Sequence, residues 1–436
     1  MSQNCTILSA GILTFLITSS VSPCSYAAID QAIDDASRPD PNLNRLGSTL
    51  RALQSLGATR GDLIDVVNEL EMASSPELVR RALRTLLPAI NRSAAIRQRV
   101  TDNRWRNRKS DTQRLRRSTK SNSNQVLRAT ALNYSWYAAP SEQNTNTGVA
   151  PDKIKNIWLQ TWTDSAEQDD QDFFDGFEAT QTGVALGLDL AITENLDFGV
   201  SIGRYSGEVD SNIFGEDQSN GTQLGVYVAR SYGNHTISAQ LNNSRDQIDR
   251  ERLMIVLTET QPRTFLLTSD IDSQQIGYSI DYSYSFLPDL HSTSSFMFSP
   301  FASVAYAEIQ TDNYIERGSE TLSLSVETQD EEHLSGTIGA TLGWAYFHTN
   351  WTVMPSLTLA FEHDFQADPT VTTSRFRDTT LTFDTEGLEL EENRWRYNLG
   401  LSLIHRNNIG IGFSYQGQRK GDYRYDGVVL NLQISI

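Results

Sequence analysis

The sequence predicts an all-β 12-stranded antiparallel transmembrane barrel, preceded by a small α-helical region. Three observations predict it. Apolar and polar residues alternate over long stretches from Ile154 onward. The links between those stretches alternate between short turns and long polar segments. At 38% apolar residues and a mean hydropathy of −0.41, no segment of the body is apolar enough for a membrane helix.

The alternation carries most weight. Val184, Leu186, Leu188 and Leu190 alternate with Ala185, Gly187 and Asp189; Ile276, Tyr278, Ile280, Tyr282 and Tyr284 alternate with Gly277, Ser279, Asp281 and Ser283. A period of two puts the apolar residues on one face of a strand and the polar ones on the other. A soluble sandwich also alternates, but its strands usually run about five or six residues. Here twelve candidates of ten residues or more can be drawn: 154–164, 179–192, 195–208, 218–231, 234–248, 269–286, 297–312, 332–347, 351–365, 393–406, 409–418 and 424–436. Their polar faces are Gly, Ser, Thr, Asn and Asp, which suits a water-filled lumen. Aromatic residues near strand ends, namely Trp158, Trp162, Phe286, Trp344, Tyr346, Trp351, Phe365 and Tyr415, suit the girdles that barrels place at lipid headgroups.

The links give the orientation. Thr193-Glu194, Tyr232-Gly233, His348-Thr349-Asn350 and Asn407-Asn408 are tight turns, whereas 165–179 and 366–392 are long and polar. Outer-membrane barrels have short periplasmic turns and longer external loops. The chain is therefore expected to enter and leave the barrel on the periplasmic side.

Upstream, residues 1–27 are expected to be a signal peptide: an apolar run from Thr6 to Val21, then Ser25-Tyr26-Ala27 as a small-x-small cleavage site. Both cysteines, Cys5 and Cys24, fall within it, so the mature chain is expected to hold no disulfide and no Cys-ligated metal. Residues 28–91 form a short helical, passenger-like region. Leu43, Leu46, Leu50 and Leu53 fall at helical spacing; Leu63, Ile64, Val66, Val67 and Leu70 make a second face. Ser75-Pro76-Glu77 starts a third helix, with a cap, a first-turn Pro and an acid near the positive dipole end, followed by Leu78, Ala82, Leu83, Leu86 and Leu87. Helix–helix packing accounts for these leucines.

Charge divides the mature chain. Residues 28–128 hold 19 basic and 11 acidic side chains, net +8; residues 129–436 hold 17 and 43, net −26. The basic excess concentrates in a linker, 92–153, with Arg104, Arg106, Arg108, Arg114, Arg116 and Arg117 in its densest runs. Asp189, Asp197, Asp281, Glu362 and Asp364 alternate inward on the predicted strands, so a basic segment threading an acidic lumen would gain charge complementarity. A solvated basic linker is the alternative. An exported chain leaves nucleic acid an unsuitable partner.

Residues 154–436 resemble the C-terminal translocator domain of classical monomeric autotransporters. Trp158-Leu-Gln-Thr-Trp162 resembles the first strand of that family; Thr182 to Asp189 and Glu194 to Val200 resemble the second and third; Ser299 to Tyr306, Tyr314-Ile-Glu316, Gly318, His363 and Gly421-Asp-Tyr423 follow in order. The family pattern usually ends in Phe or Trp, where this chain has Ile436. The resemblance implies a monomeric barrel in outer-membrane lipid, delivered by the Sec translocon and the barrel-assembly machinery. It also implies that the segment before the first strand threads the lumen.

No catalysis and no cofactor are expected. All six histidines, His235, His291, His333, His348, His363 and His405, lie in the barrel, so the exported region lacks a Ser-His-Asp or Cys-His system. Three functional readings stand at this point. The first is a translocator that exports or displays its own helical segment. The second is a passive pore or scaffold with a periplasmic helical domain. The third, an outer-membrane hydrolase, rests on His363 beside Glu362 and Asp364, and on His405.

Overall fold

The alternation from Ile154 onward folds into twelve antiparallel strands that close on themselves. The computed structural model describes residues 27–33, 40–73, 75–89, 154–170, 176–193, 195–211, 215–256, 262–286, 294–366, 369–387 and 392–436. The strands among them, in chain order, are β1 Ile154–Gln168, β2 Phe177–Thr193, β3 Leu196–Ser211, β4 Gly215–Tyr232, β5 His235–Val256, β6 Arg263–Tyr284, β7 Ser294–Thr311, β8 Tyr314–Ile315, β9 Leu324–Val326, β10 Gln329–Phe347, β11 Trp351–Asp364, β12 Val371–Phe376, β13 Thr382–Glu386, β14 Asn393–His405, β15 Ile409–Lys420 and β16 Tyr423–Ser435. The barrel runs β1-β16-β15-β14-β11-β10-β7-β6-β5-β4-β3-β2. Its seam is the β1–β16 ladder, from Asn156 opposite Ser435 to Gln168 opposite Tyr423. Each predicted strand is present.

The period-two reading also fixes the faces. Val200, Ile202, Leu224, Ile237, Ile280, Val304, Ile338, Leu359, Leu399 and Leu430 are exposed on the outer wall, where lipid replaces water. Outward aromatics flank them, including Tyr232, Phe286, Tyr346 and Trp351 at one end and Phe365 and Trp395 at the other. Two of the expected girdle residues are not there. Trp158 and Trp162 are buried at 1% and 3% exposure on the lumenal face. Gly187 and Gly183 of β2 explain this: a Cβ on either would lie 2.0 Å from the facing indole, so the bare backbone gives each ring its seat.

β2/β3, β4/β5, β10/β11 and β14/β15 are joined within two or three residues, at the end where β1 starts and β16 stops. That end is periplasmic by the link-length rule. The opposite links are shorter than the sequence suggests, because the strands run on into them. A span needs about 9–11 residues. β5 and β6 have 22 each, and the excess rises beyond the wall as a hairpin. β4 pairs with β5 only as far as Arg250, and β7 with β6 only as far as Ser273. Two links expected to be irregular contain β8, β9, β12 and β13, which form a small sheet in the order β13-β12-β9-β8. This rim is the external end of the barrel.

The N-terminal helices are α1 Ala27–Ile33, α2 Pro41–Ser55, α3 Gly61–Met72 and α4 Pro76–Leu86. Asp40 caps α2, accepting from the amides of Asn42 (3.1 Å) and Leu43 (3.2 Å). Ser75 caps α4 with Pro76 in its first turn, as its sequence signals. Leu78 is only half-buried; the inward face of α4 is Val79, Ala82, Leu83 and Leu86. Leu43, Leu46, Leu50 and Leu53 of α2 and Leu63, Val66, Val67 and Leu70 of α3 are buried, whereas Ile64 is exposed. Residues 1–26 of the expected signal peptide and the expected basic linker, 92–153, lie outside the described residues, and Ala27, the expected last residue of that peptide, opens α1.

Gly187→Val would set a branched side chain against the buried Trp158 ring. Overpacking of this kind costs about 1–3 kcal/mol. The expected result is a lower urea midpoint for the folded barrel, read from heat-modifiable electrophoretic mobility. Gly233→Asn, at a turn with φ +56 and nothing within 4 Å of the added Cβ, is expected to leave the midpoint unchanged.

Candidate functional site

Two features distinguish this barrel: a charged lumen and a helical cap on its external rim. On the lumenal wall, Asp189, Asp197, Glu362 and Asp364 are buried and Asp281 is half-buried. Asp164 and Asp246 are buried on the same face. Several of these acids are paired within the wall. Lys155 reaches Asp197 at 3.4 Å. Arg394 contacts both Glu362 and Asp364, the latter at 2.7 Å, and Arg396 reaches Glu362 at 2.5 Å. Asp189 accepts from Asn156 at 3.1 Å and from the Tyr227 hydroxyl, and Asp281 from Ser238 at 3.4 Å. The wall thus supplies part of its own neutralisation, which a buried carboxylate requires. Arg104, Arg106, Arg108, Arg114, Arg116 and Arg117 fall outside the described residues.

His363 does not join the acids beside it in sequence. Period two turns it to the outer wall, where its Nδ1 meets Asn393 Oδ1 at 2.9 Å, while Glu362 and Asp364 face the lumen. His405 accepts from the Asn407 amide at 3.2 Å. Among the described residues one trio of carboxylates, Glu208, Asp210 and Glu216, converges closely enough to hold a cation. It stands on the outer wall near the rim, and repulsion from Glu216, then Asp210, pushes the Glu208 carboxyl up from its ordinary range.

The cap is built where β5 leaves the barrel. Its inward residues are small and polar through the lumen: Thr236, Ser238, Gln240, Asn242, Ser244 and Asp246. They then change to Ile248, Arg250, Arg252, Met254 and Val256, all buried. The apolar members share one core with α1–α4 and with Ile271, Leu322, Leu324, Val326, Phe376 and Phe383 of the rim. The helices therefore pack on the pore side of the rim.

Both arginines are gripped by carboxylates and reach the end of α4 or the residues that follow it. Arg252 makes a bidentate pair with Glu316, Nε to Oε1 at 2.7 Å and Nη2 to Oε2 at 2.6 Å. Its Nη1 donates to the carbonyls of Thr85 (2.5 Å) and Leu87 (3.5 Å). Arg250 pairs likewise with Asp217, at 2.7 and 2.6 Å, and donates to the Ala89 carbonyl at 3.0 Å. Thr85 lies in the last turn of α4, where unpaired backbone acceptors and the negative dipole end favour a cation, and Leu87 and Ala89 follow the helix directly. Arg250 also donates to the Tyr314 hydroxyl at 3.2 Å. Burial pushes that phenol up, with the guanidinium pulling the other way. Elsewhere Asn42 of α2 exchanges two hydrogen bonds with the Glu386 backbone, at 3.0 and 2.8 Å. Thr321 accepts from the Leu63 amide at 3.0 Å, which caps the start of α3 from the rim.

The family model described as the autotransporter beta-domain matches residues 157–416. The chain belongs to the autotransporter family. Its barrel is an outer-membrane translocator domain of the type V secretion class, set in lipid. Outer membrane protein B of Rickettsia prowazekii (strain Madrid E) is 19% identical over 277 residues, 61% of this chain and 16% of that protein. Its counterpart in Rickettsia japonica (strain ATCC VR-1363 / YH) is 21% identical over 293 residues, 64% of this chain and 17% of that protein. The chain spans about a sixth of the length of these curated relatives. The translocator domain of the autotransporter NalP from Neisseria meningitidis aligns with TM-score 0.49 at 12% identity, over 67% of this chain and 90% of that one. The beta domain of the Bordetella autotransporter BrkA aligns with TM-score 0.49 at 15% identity, over 65% and 100%.

Sequence reasoning missed Arg250 and Arg252 because it ended the fifth strand at residue 248. Carrying the period of two eight residues further would have placed both, with Met254 and Val256, on the lumenal face.

Arg252→Met leaves Glu316 buried without its partner, a loss of about 3–5 kcal/mol for a broken buried pair. Hydrogen exchange of the α4 amides is expected to rise at least a hundredfold, with the barrel strands still protected. Arg252→Met/Glu316→Met is expected to recover much of that protection.

Proposed function

We propose that this autotransporter exports the chain ahead of its barrel through the lumen and retains helices α1–α4 as a cap at the cell surface. One observation supports export over a periplasmic helical domain. The described N-terminal residues end at Ala89, just past α4 and held by Arg250 on the external rim, whereas the barrel begins at Ile154, beside Ser435 at the periplasmic end. The intervening 64 residues join opposite ends of a closed wall. Lipid offers no partners for a backbone outside a helix or barrel, so the lumen is the route between them. At helical rise, 64 residues reach roughly 96 Å, against about 30 Å of hydrocarbon.

On this reading the stretch with Arg104, Arg106, Arg108, Arg114, Arg116 and Arg117 passes lumenal acids. Those include Asp164 and Asp246 as well as the five that the sequence points to. The Sec translocon delivers the precursor after the signal peptide directs it, and the barrel-assembly machinery inserts the strands. The cap is a non-catalytic element, and the outward placement of His363, away from Glu362 and Asp364, favours that over a hydrolase.

Protease treatment of intact cells tests export. An epitope inserted after Gly57, exposed in the turn between α2 and α3, is expected to be lost from whole cells; its survival until the outer membrane is opened would assign the helices to the periplasm. The route has its own measurement. Arg104→Glu/Arg106→Glu/Arg108→Glu is expected to raise single-channel conductance in planar bilayers, and unchanged conductance would place the basic segment outside the pore.

A further inference from the structure

Outside the lumen and the cap, the outer wall carries a basic pair that neither uses. The outward face of β3 runs Phe198, Val200, Ile202, then Arg204. That of β4 runs Val228, Val226, Leu224, then Thr222, and that of β5 runs Ile237, Ala239, Leu241, Asn243, then Arg245. Arg204, Thr222 and Arg245 are consecutive partners across the three strands and all are exposed. They stand where the apolar belt gives way to polar residues on the external side, the height at which headgroups flank the apolar band of such a barrel. Two ladder spacings put the arginine backbones roughly 9–10 Å apart, close enough for both side chains to reach one small anion. The three line one groove of about 500 Å³ with Asn220, Gln247 and Gln274, whose side chains add amide donors. Three acids also line it: Asp246, turned to the lumen from β5, Asp272 on β6 opposite Gln247, and Asp312 just after β7. The wall above is acidic, with Glu208, Asp210, Asp249 and Glu251, yet no described residue forms an ion pair with Arg204 or Arg245. Rim arginines such as Arg317, by contrast, are paired.

We propose that Arg204, Thr222 and Arg245 form a binding site for the phosphate of an outer-leaflet glycolipid, seated with its acyl chains against Ile202, Leu224 and Leu241. A guanidinium presents a planar fork of donors that matches phosphate oxygens in pairs, and it is more weakly hydrated than an ammonium. The site anchors the barrel wall at the leaflet boundary on the β3–β5 side, below the rising β5–β6 hairpin. It rests on the placement in the outer membrane and is independent of the export reading.

The test uses the full chain folded in detergent. Native mass spectrometry counts retained ligand with a diphosphorylated disaccharide glycolipid, with its dephosphorylated counterpart and with inorganic phosphate. The wild type is expected to retain the diphosphorylated lipid about tenfold more strongly than the dephosphorylated one. Arg204→Gln/Arg245→Gln is expected to remove that preference, in keeping with the loss of charge-assisted hydrogen bonds. Arg230→Gln, on the periplasmic side of the same wall, is expected to behave as wild type. Equal retention by the double variant, or no preference for phosphate, overturns the site. Displacement of the lipid by an equal concentration of inorganic phosphate overturns the glycolipid assignment and leaves a site for free anions. If the Gln variant does not fold, as judged by heat-modifiable mobility, Arg204→Lys/Arg245→Lys answers the same question: severalfold weaker retention supports the site and unchanged retention overturns it.

Discussion

A strand in hydrocarbon has no water to satisfy its amides, so each strand of this chain needs a neighbour on both sides. The rest of the architecture depends on that requirement. It forces β1 to pair with β16 along thirteen residue pairs, which brings Ile154 and Ser435 to the same end and leaves the wall without an edge. Once closed, the wall separates two water-accessible ends that communicate only through the lumen. The polar faces of the strands line that passage, and buried acids there hold Lys155, Arg394 and Arg396 in place.

The rim obeys a different rule, because its neighbours are protein. Above the lipid, β5 and β6 lose their outer partners and continue as a two-stranded ribbon, which is marginal in water alone. Their inward faces change from polar to apolar there, and the helices and the small sheet cover them. Two buried arginines fix how the cover sits. A buried ion pair adds little net stability against an apolar alternative, but once made it requires its remaining donors to be satisfied. The spare N–H groups of Arg250 and Arg252 end on the carbonyls of Thr85, Leu87 and Ala89. A sliding or rotated α4 would leave those groups buried and unpaired. The pairs act as a docking register more than as a source of stability.

The sequence made the wall legible because one simple period governs it: every second residue faces lipid, and strands that keep this period for ten residues or more are uncommon in soluble sheets. The capping signal at Ser75 was legible for a related reason, being local. What escaped depends on distant partners. Trp158 and Trp162 look like girdle residues until Gly187 and Gly183, on the next strand, are known to sit opposite them. β8, β9, β12 and β13 have two to six residues each, too few for a period to register, and they exist because the links from β7 and β11 meet over the helices. Leu78 and Val79 are neighbours on α4, and only the direction of the rim decides that Val79 is buried. The lumenal acids were visible, but not that Arg394 and Arg396 answer two of them from the adjacent strand.

The cap also has an order of formation built into it. α2, α3 and α4 have 15, 12 and 11 residues, at or below the length at which an isolated helix is stable in water. Their inward leucines share a core with Met254, Val256, Leu324, Phe376 and Phe383, which come together only when β5, β6 and the two long links are in place. The start of α3 is capped by Thr321, and the end of α4 is held by Arg250 and Arg252, all from the rim. The helices thus lack, before the wall closes, both the apolar surface and the polar partners that stabilise them after it. A segment that stays largely unfolded until it reaches the rim is suited to pass a narrow lumen. On the proposed export route, the free energy of docking would become available only at the external rim, where these partners stand.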